Sequence, residues 1–422
     1  MSFPSSDRCR IVRHTWRRNR LAGASVSFFL FWATLSTSQT RGRSVVCDGG
    51  DGTFDAEFGT GIKVHVGAAR NGELATRACA AKLGWENQEL VVAAGVSQLD
   101  VDAFGVDFWD GELVAAFQIK KSDTECCMEY RIYSLDKPPR LLRIIKGGEF
   151  FSASDVGLVG RVEIWTNDAA AVNGFENLTL GELDSAPSVV FRFARGQLLD
   201  VSAEFQPYFD DQIAEIRAGI HPQDLEDFKG SDGRLTAMAS PSAAERMHHL
   251  RMTKIKVLEI VWAYLYSGRE QDAWRTLAEM WPAADIDRIR AELVSTRAGG
   301  IHAQADGTSA GAARGKKKHA PIFDAVSAPG GENKMEVIPP KAILLRRPPV
   351  SEIQQQSLPG SELLLDLVID AAGKVRSAQP GGKVKWVDPD LINAALTWKF
   401  IPAFKDGRPV ASRPRLGVTP RQ

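Results

Sequence analysis

The sequence predicts an α+β multidomain protein. Its N-terminal domain is expected to be all-β, either a sandwich or a partial propeller-like sheet. A helical hairpin region and a small α+β C-terminal domain are expected to follow. Three observations carry this reading. Residues 47–200 break into short alternating runs between turn signals. From about residue 203 the hydrophobic period lengthens to a helical one. The end of the chain combines a strand hairpin, a capped helix and further short strands in a compact unit.

A length of 422 residues allows two or three domains. The expected spans are 1–38 for a signal peptide, 45–202 for the β-rich domain, 203–298 for the helical region, 299–336 for a flexible linker and 337–422 for the C-terminal domain. Formal net charge is zero, which removes any whole-chain case for nucleic-acid binding. Charge is unevenly spread, however. Residues 47–240 carry about 17 basic and about 32 acidic side chains, whereas 335–422 carry about 13 basic and about 8 acidic. An acidic middle and a basic tail can attract each other, or the tail can seek an acidic partner.

The leader comes first. "RCRIVRHTWRRNR" supplies Arg8, Arg10, Arg13, Arg17, Arg18 and Arg20 ahead of the apolar run "LAGASVSFFLFWATLS". That run is about 15 residues, short of the roughly 20 that a membrane span needs. Ser36 and Ser38 suit a cleavage site near Ser38–Gln39. The expected location is therefore the periplasm or cell envelope, with membrane contact only through an uncleaved N-terminus. Removing the leader takes Cys9 and leaves Cys47, Cys79, Cys126 and Cys127. Two disulfides fit an oxidising compartment. Connectivity stays open, but the adjacent Cys126 and Cys127 are expected to reach different partners.

In the β-rich stretch, "ELVAAFQIKK", "MEYRIYSL", "RLLRIIKGG", "RVEIWTND" and "SVVFRFARGQLLDVS" alternate. Asp110-Gly111, Pro138-Pro139, Gly147-Gly148 and Arg195-Gly196 punctuate them. Farther on, Phe205, Phe209, Ile213 and Ile216 fall at helical spacing. A second helical pattern carries Leu250, Ile255, Leu258, Val261, Trp262 and Leu265, with Gly268 suited to the position after its end. "EQDAWRTLAEMW" stops at Pro282, and a last helix begins behind Asp285, an expected cap. Residues 299–336 are rich in Gly, Ala and Lys without a period, and Lys316–Lys318 reads as a solvated charge run.

In the C-terminal unit, Leu363, Leu365, Leu367 and Ile369 share one strand face. Ala371-Ala372-Gly373 turns the chain and Val375 starts a partner strand. Asp388 suits a helix cap with Pro389 at the first position. Leu391, Ala394, Ala395 and Trp398 then form an apolar stripe. Phe400 and Phe404 continue into a strand, and Asp406-Gly407 turns into Val410.

This pattern resembles the C-terminal domain of the TonB family over roughly residues 337–418. The matching residues are Ile369-Asp370, Gly373, Val375, Ala394-Ala395, Trp398, Phe400, Pro402-Ala403, Lys405-Asp406-Gly407 and Pro409-Val410. Pro348-Pro349 stands where the family has Tyr-Pro. The resemblance implies a protein- or peptide-binding module linked to outer-membrane transport, with an outer-membrane receptor as the model partner. Its mode is strand addition to an open sheet edge. The expected contacts lie on the last strand: Val410, Ser412, Arg413, Arg415, Leu416 and Val418, with Pro414 interrupting the ladder. Trp398 and Phe400 are expected in the core. The family's membrane helix holds a coupling histidine. Here the apolar run has none, and His14 lies among arginines.

Other patterns are weaker. Asp100, Asp102, Asp107, Asp110 and Glu112 cluster like oxygen ligands for calcium, but a solvated loop is the expectation. His248-His249 diverge on a helix, and Asp210-Asp211 suits a helix start. No catalytic residue, cofactor or metal is assigned, and the reading is a non-enzymatic binding protein. The rival is an exported hydrolase whose site lies in the β-rich domain, with the tail as a docking module. A third reading keeps the leader uncut and makes the chain an energy transducer.

Overall fold

Alternation in the first part of the chain builds nine strands: β1 (Cys47–Asp48), β2 (Phe54–Glu57), β3 (Ile62–Ala68), β4 (Cys79–Trp85), β5 (Gln88–Val96), β6 (Gln98–Asp107), β7 (Leu113–Lys120), β8 (Met128–Ser134) and β9 (Leu141–Gly148). The computed structural model describes residues 45–69, 77–108, 111–235, 241–309, 319–325, 337–346, 363–382 and 387–418. The expected leader, Asp110 and Lys316–Lys318 lie outside them. Among the described residues no helix is long and apolar enough to cross a membrane.

Strands β2–β5 form a four-stranded antiparallel meander, and β1-β6-β7-β8-β9 a five-stranded antiparallel sheet. The two share one core, with Val64 and Leu83 facing Val101 and Phe117. A fully buried disulfide, Cys47–Cys79, joins β1 to β4. Closing a sequence separation of 32 contributes about 3–4 kcal/mol by chain entropy. The second disulfide overturns the expectation from sequence: Cys126 and Cys127 are bonded to each other. It lies on the β7–β8 connection.

The β6 and β7 strands are buried along almost their whole length. Such continuous burial marks a sheet covered on both faces. The second cover is another sheet: β10 (Phe151–Ser154), β11 (Glu163–Asn167), β12 (Ser188–Ala194), β13 (Gln197–Asp200) and β14 (Gly307–Thr308). Its first four strands are antiparallel, and β14 joins β13 in parallel. Arg195 and Gly196 both take positive φ at the β12–β13 turn, as the sequence signal required. The short helix α1 (Ala169–Val172) interrupts this otherwise all-β region.

Helices then pack on the same core: α2 (Gln206–Ala218), α3 (Pro222–Lys229), α4 (Pro241–Tyr266), α5 (Glu270–Met280) and α6 (Ile286–Gly299). The apolar stripe expected in α4 is buried throughout, from Leu250 to Leu265. Gly268 adopts φ +77 where that helix ends. Asp285 makes no side-chain cap. Its carboxylate accepts instead from Trp281 Nε1 at 3.0 Å and Arg288 Nε at 2.5 Å. Asp210 pairs with Arg269 rather than serving a helix start, and His248 and His249 are exposed.

The chain ends in β16 (Lys341–Leu344), β17 (Leu363–Ile369), β18 (Val375–Pro380), α7 (Pro389–Ala395), β19 (Lys399–Ile401), β20 (Ala403–Lys405), β21 (Arg408–Val410), β22 (Ser412–Arg413) and β23 (Arg415–Val418). The Asp388 side chain caps α7 through Asp390 N at 2.9 Å, with Pro389 first in the helix. Leu363, Leu365, Leu367, Ile369, Leu391, Ala395, Trp398 and Phe400 make the local core. Trp398 Nε1 donates to Arg346 O at 2.7 Å. Gly373 has φ +77, and a Cβ there would drive into the Phe400 carbonyl.

This C-terminal part is not set apart from the rest. Ser44–Gln422 is one compact unit. Ile401 and Phe404 belong to the core of the first two sheets, and Ala372 to that of the helices. The stretch expected to be a flexible linker also carries structure: Ile301–Gln304 is a 3-10 turn, and Gly307–Thr308 is β14.

A pH dependence follows from Glu259 on α4. It is 4% exposed, and one oxygen accepts from Ser185 N at 3.0 Å. Its other oxygen has no partner among the described residues. Burial, reinforced by the Asp184 charge, pushes the carboxyl up to about 7. An acid whose folded pKa is raised supports the fold fully below its unfolded pKa of about 4.3, and that support is lost as pH rises through about 7. Glu259→Gln is expected to raise Tm more at about pH 8 than at about pH 5, with a differential on the order of 3 kcal/mol. An equal shift at both pH values would contradict this account.

Candidate functional site

The C-terminal sheet is fixed by charges buried against the central sheet. Asp100 and Asp102 stand on β6 at 1–2% exposure, facing the helical side with Gln118 and Tyr130. Asp102 accepts from Tyr130 OH at 2.7 Å and Ala153 N at 2.7 Å. Lys374 reaches it from the β17–β18 turn at 2.5 Å. Lys399 on β19 pairs with Asp100. Asp370, fully buried, accepts from Ala372 N and Lys374 N in its own turn, and from Arg376 Nε at 2.7 Å and Asp155 N at 3.0 Å. Arg376 also bonds Ser154. These aspartates are thus structural: lysines occupy the place that a calcium reading of the cluster gives to a cation. Asp107 bonds Gly111 N, and Glu112 reaches Arg140 at 3.4 Å. Tyr130 is pushed up, first by burial and then by the Asp102 charge.

On that platform sits the sheet that holds the expected partner residues. Strand β17 pairs with β18 on one side, and with β22 and β23 on the other. Pro414 divides the last strand into those two pieces, and its carbonyl accepts from Leu367 N at 3.0 Å. Val410 ends the β20–β21 hairpin opposite Ala403. Ser412 is fully buried between Ile369 and Phe323. Arg413 is exposed beside Asp324. Arg415 grips Asp366 across the sheet with two bonds of 2.7 and 3.0 Å and holds that carboxyl below its usual range. Leu416 packs against the local core and Val418 is 3% exposed. The side chains of Ser412, Arg415, Leu416 and Val418 are thus buried or engaged within the protein itself.

Half of the margin is already taken. Strand β15 (Phe323–Asp324) lies parallel to β22, with Phe323 N donating to Ala411 O at 2.9 Å and Ala325 N to Arg413 O at 3.2 Å. Lys405 Nζ lies 4.4 Å from the Phe323 ring centroid. The same segment is anchored upstream, where Ala320 N donates to Leu158 O at 2.7 Å. Beyond it, β23 has only β17 as a strand partner among the described residues. The bond from Leu367 N to Pro414 O sets the antiparallel alternation. With Leu364 opposite Gly417 and Asp366 opposite Arg415, the main-chain groups of Arg415 and Gly417 point away from β17.

Two other places gather polar and titratable side chains. His302 Nδ1 lies 2.5 Å from Asp200, as in a hydrolase dyad. Its other ring nitrogen faces Arg297 at 3.5 Å, and the nearby Ser202 hydroxyl accepts from Val190 N. Among the described residues no hydrogen bond joins the Ser202 hydroxyl to that imidazole, as an activated nucleophile requires. Asp168 alongside is buried, accepting from Tyr266 OH at 2.6 Å and Ile301 N at 3.0 Å, and burial raises its carboxyl. It ties the end of α4 and the turn after α6 to the start of α1. A groove of about 960 Å³ on the outer face of β2–β5 is lined by Lys63, His65, Lys82 and Glu89. Within it Lys82 pairs with Glu89 and His65 Nδ1 bonds Asp55, both at 2.7 Å.

No family model, curated protein or solved structure matches this chain. Sequence reasoning missed the Asp102–Lys374 and Asp100–Lys399 pairs. Their signal was two aspartates alternating with apolar residues in "QLDVDAFGVD", set against a basic tail. Lys374→Met is expected to cost about 3 kcal/mol, because it leaves a buried carboxylate without its cation. Asp102→Asn should cost far less in that background than in the native chain, a coupling that urea denaturation of the double-mutant cycle measures. Additive costs would show that the pair carries no energy.

Proposed function

We propose that this is an exported, non-enzymatic protein of the cell envelope that captures an extended protein or peptide segment by strand addition. The guest lies against Arg415–Val418, continuing the row that β15 begins. The observation that carries the reading is that row: the chain's own residues 323–325 already add to this margin through main-chain bonds, and the next stretch of it has no second strand among the described residues. The likeness to the TonB C-terminal domain supports the same mode, and suggests a link to outer-membrane transport with a receptor segment as guest. Export is supported by the basic–apolar leader, and by a buried disulfide of the kind that belongs to an oxidising compartment. Docking fits better than energy transduction, since the unit is bound by buried ion pairs to the chain's own central sheet.

Gly417→Pro tests this reading. It removes one outward N–H while sparing the bonds to β17, and proline is tolerated at a sheet edge. An array of short unstructured peptides is screened with the full chain and with the variant. The native protein is expected to retain a subset, and the variant to bind it at least about tenfold more weakly, some 1.4 kcal/mol, with Tm little changed. Equal binding by both, or no retention by the native chain, would sink the proposal.

A further inference from the structure

The Cys126–Cys127 disulfide has no evident structural task. It bridges a sequence separation of 1, so it closes almost no loop and restricts the unfolded chain very little. The Cys47–Cys79 bond spans a separation of 32, and both of its residues are fully buried. The positions also differ in access. Cys126 is exposed on the seven-residue connection 121–127, while Cys127 is half-buried and rests against the core. Exchange needs a thiolate to reach one sulfur and a leaving thiolate on the other. An exposed cysteine bonded to a neighbour held against the protein meets both needs.

We infer that Cys126–Cys127 is a thiol–disulfide exchange site that accepts electrons from external dithiols and passes them to accessible disulfides. In the first half, a thiolate of the dithiol attacks Cys126 Sγ. The Cys126–Cys127 bond breaks, Cys127 leaves as a thiolate and takes a proton. The dithiol's second sulfur then attacks the mixed bond, leaves with the reductant's own disulfide closed, and frees Cys126 as a thiol. Two electrons and two protons have entered. In the second half, the Cys126 thiolate attacks a substrate disulfide and expels one thiol. Cys127 attacks the resulting mixed disulfide at Cys126, expels the other thiol and restores the starting bond. No further oxidant is required.

The test uses the full folded chain. After limited dithiothreitol, alkylation and peptide mass measurement are expected to label Cys126 and Cys127 at least tenfold faster than Cys47 and Cys79. Phenylarsine oxide, which joins two neighbouring thiols with loss of water, should protect the labelled pair. With glutathione disulfide, the reduced Cys127→Ser variant should keep a glutathione adduct on Cys126, whereas the reduced native chain resolves it. Labelling of Cys47, Cys79, Cys126 and Cys127 at one rate overturns the inference, as does an adduct that persists equally in both proteins. Finding Cys126 and Cys127 free or bonded elsewhere in the untreated protein also overturns it.

Discussion

Two carboxylates inside the central sheet set the terms for the whole molecule. Asp100 and Asp102 are almost without solvent, on a strand buried on both faces. Water is not available to them, so the fold must bring them hydrogen bonds and cations. The hydrogen bonds are local, from Gln118, Tyr130 and Ala153 N. The cations come from some three hundred positions away, on Lys374 and Lys399. A chain that fails to dock its last part leaves both aspartates without their cations inside the central sheet. That dependence ties the C-terminal unit to the rest, alongside the apolar contacts of Ile343, Ile401 and Phe404. It also gives physical form to the acidic middle and basic tail.

The second consequence concerns orientation. Asp370 ends β17, and its carboxylate organises the following turn while accepting from Asp155 N and Arg376. The turn presents Lys374 to Asp102. The β20–β21 hairpin packs its Phe404 into the core of the first two sheets, its ring tilted 58° to that of Phe58 with centroids 5.5 Å apart. With one side of the small sheet held this way, its β22–β23 margin is left facing outward. Residues 319–325 then bridge from the loop near Leu158 to the first half of that margin.

What the sequence made legible was local. The Asp388 cap with Pro389, the Leu363–Ile369 face, the Asp406-Gly407 turn and the buried Trp398 depend on neighbours within a few residues, and each is where its pattern placed it. The helix stripe from Leu250 to Leu265 was equally plain. Partners distant in the chain were not legible. Asp285 has the form of a cap, yet Arg288 and Trp281 compete for it in the folded helix pair. The β14 and β15 strands lie in low-complexity sequence and exist only because β13 and β22 offer edges to them. Cysteine connectivity needs coordinates for the same reason.

For strand addition, rigidity of the receiving edge matters as much as its exposure. A guest loses conformational freedom when it becomes extended, and any ordering of the host adds to that loss. Here the host edge is ordered in advance. Strand β23 is zipped to β17, the Arg415–Asp366 fork ties the two across the sheet, and the turn that ends β17 is held by buried charges to the central sheet. In the proposed binding mode the ordering cost would then fall mainly on the guest. A margin of four residues provides few main-chain bonds, so a preordered edge is the condition under which so short a site can hold a partner at all. The ion pairs that complete the fold are thus the same ones that would make its free margin usable.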